Sequence, residues 1–148
     1  MECHRAAWDP HALPWPEQHR PQLAPEAASS FTEAAFAKIR AMWPYRGDLV
    51  IVAEAPDGHL AASCIAWLDD SVGAAEIEPL GVVPRYRGRG LGRAICLEAV
   101  NRVARLGGTQ VTIHPRGDDR YPAARALYAS CGFRTVARML PLRRAATA

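Results

Sequence analysis

The segment Arg87-Gly88-Arg89-Gly90-Leu91-Gly92-Arg93 constrains this chain most. It follows a run of strand-forming residues ending at Val83-Pro84 and opens a run with helical apolar spacing at Ile95, Ala99 and Val103. A strand, a glycine loop and a helix in that order aim backbone N–H groups and the positive end of the helix at one place, which makes an anion site. Glycine suits such a site because no Cβ holds a phosphate off the main chain, and because these turns often need positive φ. The flanking arginines add charge-assisted donors. Two better-known phosphate loops are excluded: G-x-G-x-x-G fails because Arg93 stands where the third glycine belongs, and no Gly-Lys-Ser/Thr follows for a P-loop. The other reading of the cluster is a turn with solvated arginines.

The rest of the chain supplies elements for this loop to sit between. Leu49 to Ala55 and Leu60 to Leu68 flank a Pro56-Asp57-Gly58 turn and read as a β-hairpin. After a second reversal at Asp69 to Gly73, Ala74 to Val83 reads as a third antiparallel strand. The helix from Leu91 to Leu106 stops at Gly107-Gly108. Thr109 to His114 is a short β-branched strand, Pro122 suits the first position of a helix running to Ser130, and Phe133 to Leu140 reads as a last strand. Upstream, Ser30-Phe31-Thr32-Glu33 fits a capping box, and Phe36, Ile39 and Trp43 give the helix that follows an apolar stripe for a sheet to cover. The fold class is α+β, an α/β sandwich with an antiparallel front and a βαβ unit behind.

At 148 residues one domain spanning 1–148 is expected, with residues 1–30 an irregular Pro-rich N-terminal segment and residues 48–140 the core. Hydrophobic residues at 49% and charged residues at 22% exclude a disordered or fibrous chain. Of 18 basic residues only Lys38 is lysine, a bias consistent with GC-rich coding. The arginines are spread along the chain and the net charge is only +3, too small a basic footprint for a nucleic-acid binder. No apolar run reaches membrane-span length and no signal-peptide pattern opens the chain, so no membrane partner and a cytoplasmic location are expected. Cys3, Cys64, Cys96 and Cys131 are widely spaced, so free thiols are expected, with no metal site.

Two separated motifs narrow the function. Val82-Val83-Pro84-Arg85-Tyr86-Arg87-Gly88-Arg89-Gly90-Leu91-Gly92 resembles the V-x-P-x-x-R-G-x-G-I/L-G signature of the GNAT N-acetyltransferase superfamily. Ala126-Leu127-Tyr128-Ala129-Ser130-Cys131-Gly132-Phe133 resembles its A-x-x-L-Y-x-x-x-G-F segment. The resemblance covers roughly Asp48 to Ala137 and implies a mostly antiparallel mixed sheet flanked by helices, with acetyl-CoA as acyl donor. It places Leu80, Gly81 and Val82 against the pantetheine arm, on a strand that splays from its neighbour. The pyrophosphate would lie on Arg87, Gly88, Arg89, Gly90, Leu91, Gly92 and Arg93. Tyr128 matches the tyrosine that protonates the departing thiolate, although a core tyrosine would also suit its apolar helix. Tyr121 stands where the family commonly has asparagine.

Acyl transfer to an amine needs the neutral amine, because an ammonium has no lone pair. Glu76 and Glu78 lie two apart on the strand entering the loop and so share a face beside the thioester. Either is a candidate base, and Glu76 resembles the glutamate used by histone-type members. Lining an amine pocket or pairing with arginine is the alternative for both. His114, Asp118 and Asp119 are candidates for the acceptor pocket, as are Trp15, Trp43, Tyr45 and Trp67, with solvated-loop and core-packing roles as the alternatives.

The activity these residues imply is transfer of an acetyl group to a primary amine of a small molecule or peptide. The competing reading is a non-catalytic acyl-CoA-binding or interaction module from a longer or tandem protein. The family fold opens with a strand, yet here His4 to Trp8 reads as helix, so the usual first strand is expected to be absent or reduced. That leaves the strand around Leu49 to Ala55 as an exposed edge, covered by the Pro-rich loop or paired in a homodimer.

Overall fold

The computed structural model describes residues 1–115 and 121–138. One four-stranded sheet runs in the order β1 (Val50–Glu54), β2 (Leu60–Asp69), β3 (Ala74–Val82) and β4 (Gln110–Thr112). The first three strands are antiparallel, and β4 joins β3 in parallel after the crossover helix α3 (Leu91–Arg105). The helix α1 (Glu2–Ala7) precedes the sheet, α2 (Glu33–Arg40) follows a proline-rich segment, and α4 (Pro122–Ser130) follows β4.

Alternation along the strands sorts the two faces. Ala62, Cys64, Ala66 and Leu68 of β2 and Ala75 and Ile77 of β3 point to one face, where α3 buries Ile95, Cys96, Ala99 and Val103 against them. Each fully buried aliphatic side chain here is worth about 1.5–3 kcal/mol of transfer free energy. The β2/β3 register shifts between Cys64 and Ala66, which lets Leu80 join Ala75 and Ile77 in the same core despite the odd spacing. On the opposite face, α1 packs on β2 and β3 and buries Cys3 and Ala7, and all four cysteines are free thiols.

The parallel pairing of β3 with β4 covers only Ala74 to Glu76, whereas β3 stays paired with β2 as far as Val82. Past Glu76 the two neighbours therefore part. This splay opens toward the loop that follows β3.

Four expectations need correction. The cap of α2 is Thr32, whose Oγ1 accepts from the Ala35 amide at 3.1 Å, while the nearby Ser29 hydroxyl accepts from the Phe31 amide instead. No residue of α2 is buried: Phe36 packs near Phe31, which stacks on His4 at 3.9 Å, so a local aromatic cluster takes the place of the sheet, and Trp43 is 74% exposed. The last strand is not formed over residues 133–138, where Val136 is 90% exposed and buries nothing that would drive pairing; the remainder of that segment, 139–140, lies outside the described residues. At the start of the Pro-rich segment the Ala12 carbonyl is bonded by Arg87 and Trp15 packs edge-on to Tyr121 at 5.0 Å, which places residues 12–15 beside the glycine loop and α4, not along β1. Among the described residues no strand precedes α1, and β1 is the sheet's edge.

Candidate functional site

A cavity of about 500 Å³ opens where β3 leaves the sheet. Leu80, Gly81 and Val82 form one wall, Gly88 and Gly90 to Arg93 close one end, and Leu127 and Tyr128 of α4 stand opposite. The fold thus brings two sequence motifs about 40 residues apart to one place. Gly88 and Gly90 have φ of +73° and +80°, and a Cβ on either would point into open space. Positive φ is what requires glycine here. Gly90 caps α3, so the amides of the first α3 turn lack partners within the helix and face the loop. Gly92 serves a different purpose: a Cβ there would sit 3.2 Å from Leu127, so its absence lets α4 close on α3.

The arginines divide their work. Arg87 Nε donates to the Val82 carbonyl at 3.0 Å, one terminal nitrogen to the Ala7 carbonyl at 3.0 Å, and the other to the Ala12 carbonyl. Its charge stays beside the loop, but its donors fasten the N-terminal segment to the cavity. Arg93 donates to the Ser130 carbonyl at the end of α4. Arg85 and Arg89 lie over the Tyr86 ring, whose hydroxyl donates to Asp57 at 2.9 Å.

Sequence reasoning missed the N-terminal wall. Ala7, Trp8, Leu13 and Pro14 line the cavity, as does Tyr121. A Cβ on Gly81 would fall 2.8 Å from the Ala7 Cβ and 2.9 Å from the Trp8 indole nitrogen, so α1 rests directly on the β3 backbone. An isolated glycine within a strand is the signal for such an approach.

Tyr128 is half-buried, edge-on to Phe133 at 6.1 Å, and among the described residues its hydroxyl has no hydrogen-bond partner. Burial, reinforced by Cys96 and Cys64, pushes its pKa well above the ordinary phenol value, so it remains a hydrogen-bond donor at any working pH. Burial likewise pushes Cys64 and Cys96 up to about 12, which leaves both thiols protonated and inert.

The two glutamates diverge. Glu76 sits at the last β3/β4 pair, and its Oε1 lies 2.6 Å from His114 Nδ1. Glu78, two residues on, is exposed; its carbonyl accepts from the Trp67 indole at 2.6 Å. Trp67 is the β2 partner of Glu76 and packs edge-on to Tyr45. Trp15 belongs to the cavity side through Tyr121, Trp43 is exposed, and Asp118 and Asp119 lie outside the described residues.

A strand that parts from its parallel neighbour and runs into a loop of left-handed glycines capping a helix is the arrangement that the two motifs imply. The acetyltransferase (GNAT) family model matches residues 3–133. The chain belongs to this family. A mycothiol acetyltransferase from Kineococcus radiotolerans is 42% identical over 86 residues, which are 57% of this chain and 26% of that protein. The chain therefore spans about a quarter of that relative's length. A protein described as an acetyltransferase from Agrobacterium tumefaciens superposes with a TM-score of 0.60 at 24% identity, covering 86% of this chain and 85% of its own, and shows the shared fold. A Bacillus subtilis acetyltransferase in complex with CoA matches at 25% identity with a TM-score of 0.50, over 56% of this chain and 52% of that one. Among the described residues no helix is long and apolar enough to cross a membrane.

Proposed function

We propose that this GNAT chain is an acetyl-CoA-dependent N-acetyltransferase that acetylates a primary amine by direct attack. The observation that carries the reading is the single cavity joining the β3 segment Leu80 to Val82, the amides at Gly88 to Arg93 and the Tyr128 side chain. A CoA pyrophosphate fits the left-handed glycine loop, where no Cβ intervenes and unpaired helix amides meet negative charge. The pantetheine arm fits beside Leu80 and Gly81, where β4 no longer follows β3.

Bound acetyl-CoA would supply a thioester carbonyl as electrophile. The protein's residues then have three tasks. The loop amides fix the donor, the hydroxyl of Tyr128 donates toward the departing sulfur, and a group near the splay takes a proton from the acceptor ammonium. Glu76 and Glu78 are the carboxylates on the strand concerned, and Glu76 is the one held at the point where the strands separate. Relatedness to a mycothiol acetyltransferase favours a small-molecule amine over a peptide.

Thiol release from acetyl-CoA in the presence of an amine panel, measured alongside CoA calorimetry, tests the reading. Amine-dependent release is expected. CoA binding with no turnover across the panel would instead give a non-catalytic acyl-CoA-binding module.

A further inference from the structure

The pair Glu76–His114 lies outside the cavity lining, on the face of the sheet turned away from α3. Its position follows from register. Glu76 pairs with Thr112 in the parallel ladder, and strand alternation carries His114, two residues on, to the same side as Glu76. Their neighbours Ala75, Ile77, Val111 and Ile113 point the other way into the core. The 2.6 Å contact between Glu76 Oε1 and His114 Nδ1 therefore spans the mouth of the splay, with side chains 40% and 52% exposed. Trp67, paired with Glu76 across β2/β3, and Tyr45 beside it add aromatic rings that attract an ammonium group.

We propose that His114, held by Glu76, is the group that deprotonates the acceptor amine, with Glu76 acting as its positioning residue. The proposal rests on the acetyltransferase reading and adds the identity of its base. A carboxylate bonded to Nδ1 fixes the proton there and leaves the Nε2 lone pair as acceptor, the arrangement by which an acidic residue orients an imidazole in hydrolytic triads. A neutral imidazole presents a ring lone pair to the ammonium and is a stronger proton acceptor than a carboxylate.

The step balances as follows. An N–H proton of the ammonium passes to Nε2, and the freed nitrogen lone pair forms the C–N bond to the thioester carbonyl carbon. Collapse of the tetrahedral adduct breaks the C–S bond, and its electron pair leaves on sulfur. The nitrogen loses a second proton, sulfur gains one with the Tyr128 hydroxyl as donor and the nitrogen's proton restoring it, and His114 returns the first to water. Among the described residues the titratable side chains on this face include Glu76 and Glu78 of β3, Tyr45 beside Trp67, and Asp69, two residues beyond Trp67 on β2 and bonded to Ser71; α1, packed on the same face, carries Glu2, Cys3, His4 and Arg5.

Two measurements on the full chain test this. The ¹⁵N spectrum of histidine-labelled protein, taken without any acceptor, should show neutral His114 protonated on Nδ1, with that preference lost in Glu76→Ala. A neutral His114 protonated on Nε2 would overturn the proposal. In the amine-panel assay His114→Gln should lower kcat/KM roughly 10²- to 10⁴-fold near neutral pH and abolish the acidic limb of the wild-type profile, with the CoA Kd within about twofold. Glu76→Gln should cost less, since the amide oxygen still accepts from Nδ1. Wild-type kcat/KM in His114→Gln, or a larger loss in Glu76→Gln than in His114→Gln, would overturn it and make the carboxylate the direct base. A wild-type chain that binds no CoA defeats the parent reading instead.

Discussion

Arg87 donates to the carbonyl of Ala7 at 3.0 Å, so the arginine at the start of the glycine loop also fastens the C-terminal end of α1 over the cavity. Its other donors reach Ala12 and Val82, which ties three separate segments together through one guanidinium. Removing it should leave three carbonyls without their donor. Arg87→Ala is expected to lower stability by about 1.5–3 kcal/mol, the range for hydrogen bonds to a charged group, and to speed hydrogen exchange over residues 2–12. Arg87→Lys should rescue little, because an ammonium cannot reproduce the planar fork. Full rescue by lysine would show that charge alone matters at this position.

Gly81 and Ala7 meet so closely that a side chain on either element decides how α1 sits. Gly81→Ala should overpack the contact and cost about 1–3 kcal/mol in urea denaturation. Pairing it with Ala7→Gly should recover much of that loss, a coupling that a double-mutant cycle reads directly. Strictly additive losses would mean that the two positions do not touch.

The core and the glycine loop were legible in the sequence because local rules govern both. Alternation at Ala75 and Ile77, the turn at Pro56 to Gly58 and the glycines before α3 each act over a few residues, and the structure forms the elements they predict. What stayed hidden depends on contacts between distant segments. Nothing near Arg87 announces that its donors belong to Ala7 and Ala12, and Glu76 and His114 stand 38 residues apart until β4 docks beside β3. The apolar stripe on α2 misled for the same reason: periodicity shows that a helix has an apolar side, not whether a sheet or an aromatic neighbour such as Phe31 meets it.

Tyr128→Phe should lower kcat roughly 10²- to 10⁴-fold while leaving the CoA Kd within about twofold, since phenylalanine keeps the packing against Phe133 and loses only the donor. The pH dependence has a definite sign. Because burial raises the Tyr128 pKa above the usual value near 10, wild-type activity should show no loss from its ionisation below about pH 10. Equal turnover by the phenylalanine variant would leave Tyr128 a packing residue.

Strand β1 pairs only with β2 among the described residues, and Val52 is half-exposed on it. An edge of this kind invites pairing with a second chain. A homodimer joined along Val50 to Glu54 is expected, with slow hydrogen exchange over those residues in light-scattering conditions that give a dimer mass. A monomer with fast exchange at residues 50–54 would defeat it.

The central claim is that the loop Gly88 to Arg93 holds the CoA pyrophosphate. Calorimetric titration of CoA into the wild-type chain and into Gly90→Asp tests it most directly. The substitution places an L side chain at φ +80° and a negative charge where phosphate would meet the helix amides. Wild-type binding with a loss of at least 10²-fold in the variant, its fold verified by circular dichroism, is the predicted result; equal affinity in a folded Gly90→Asp protein would contradict the account.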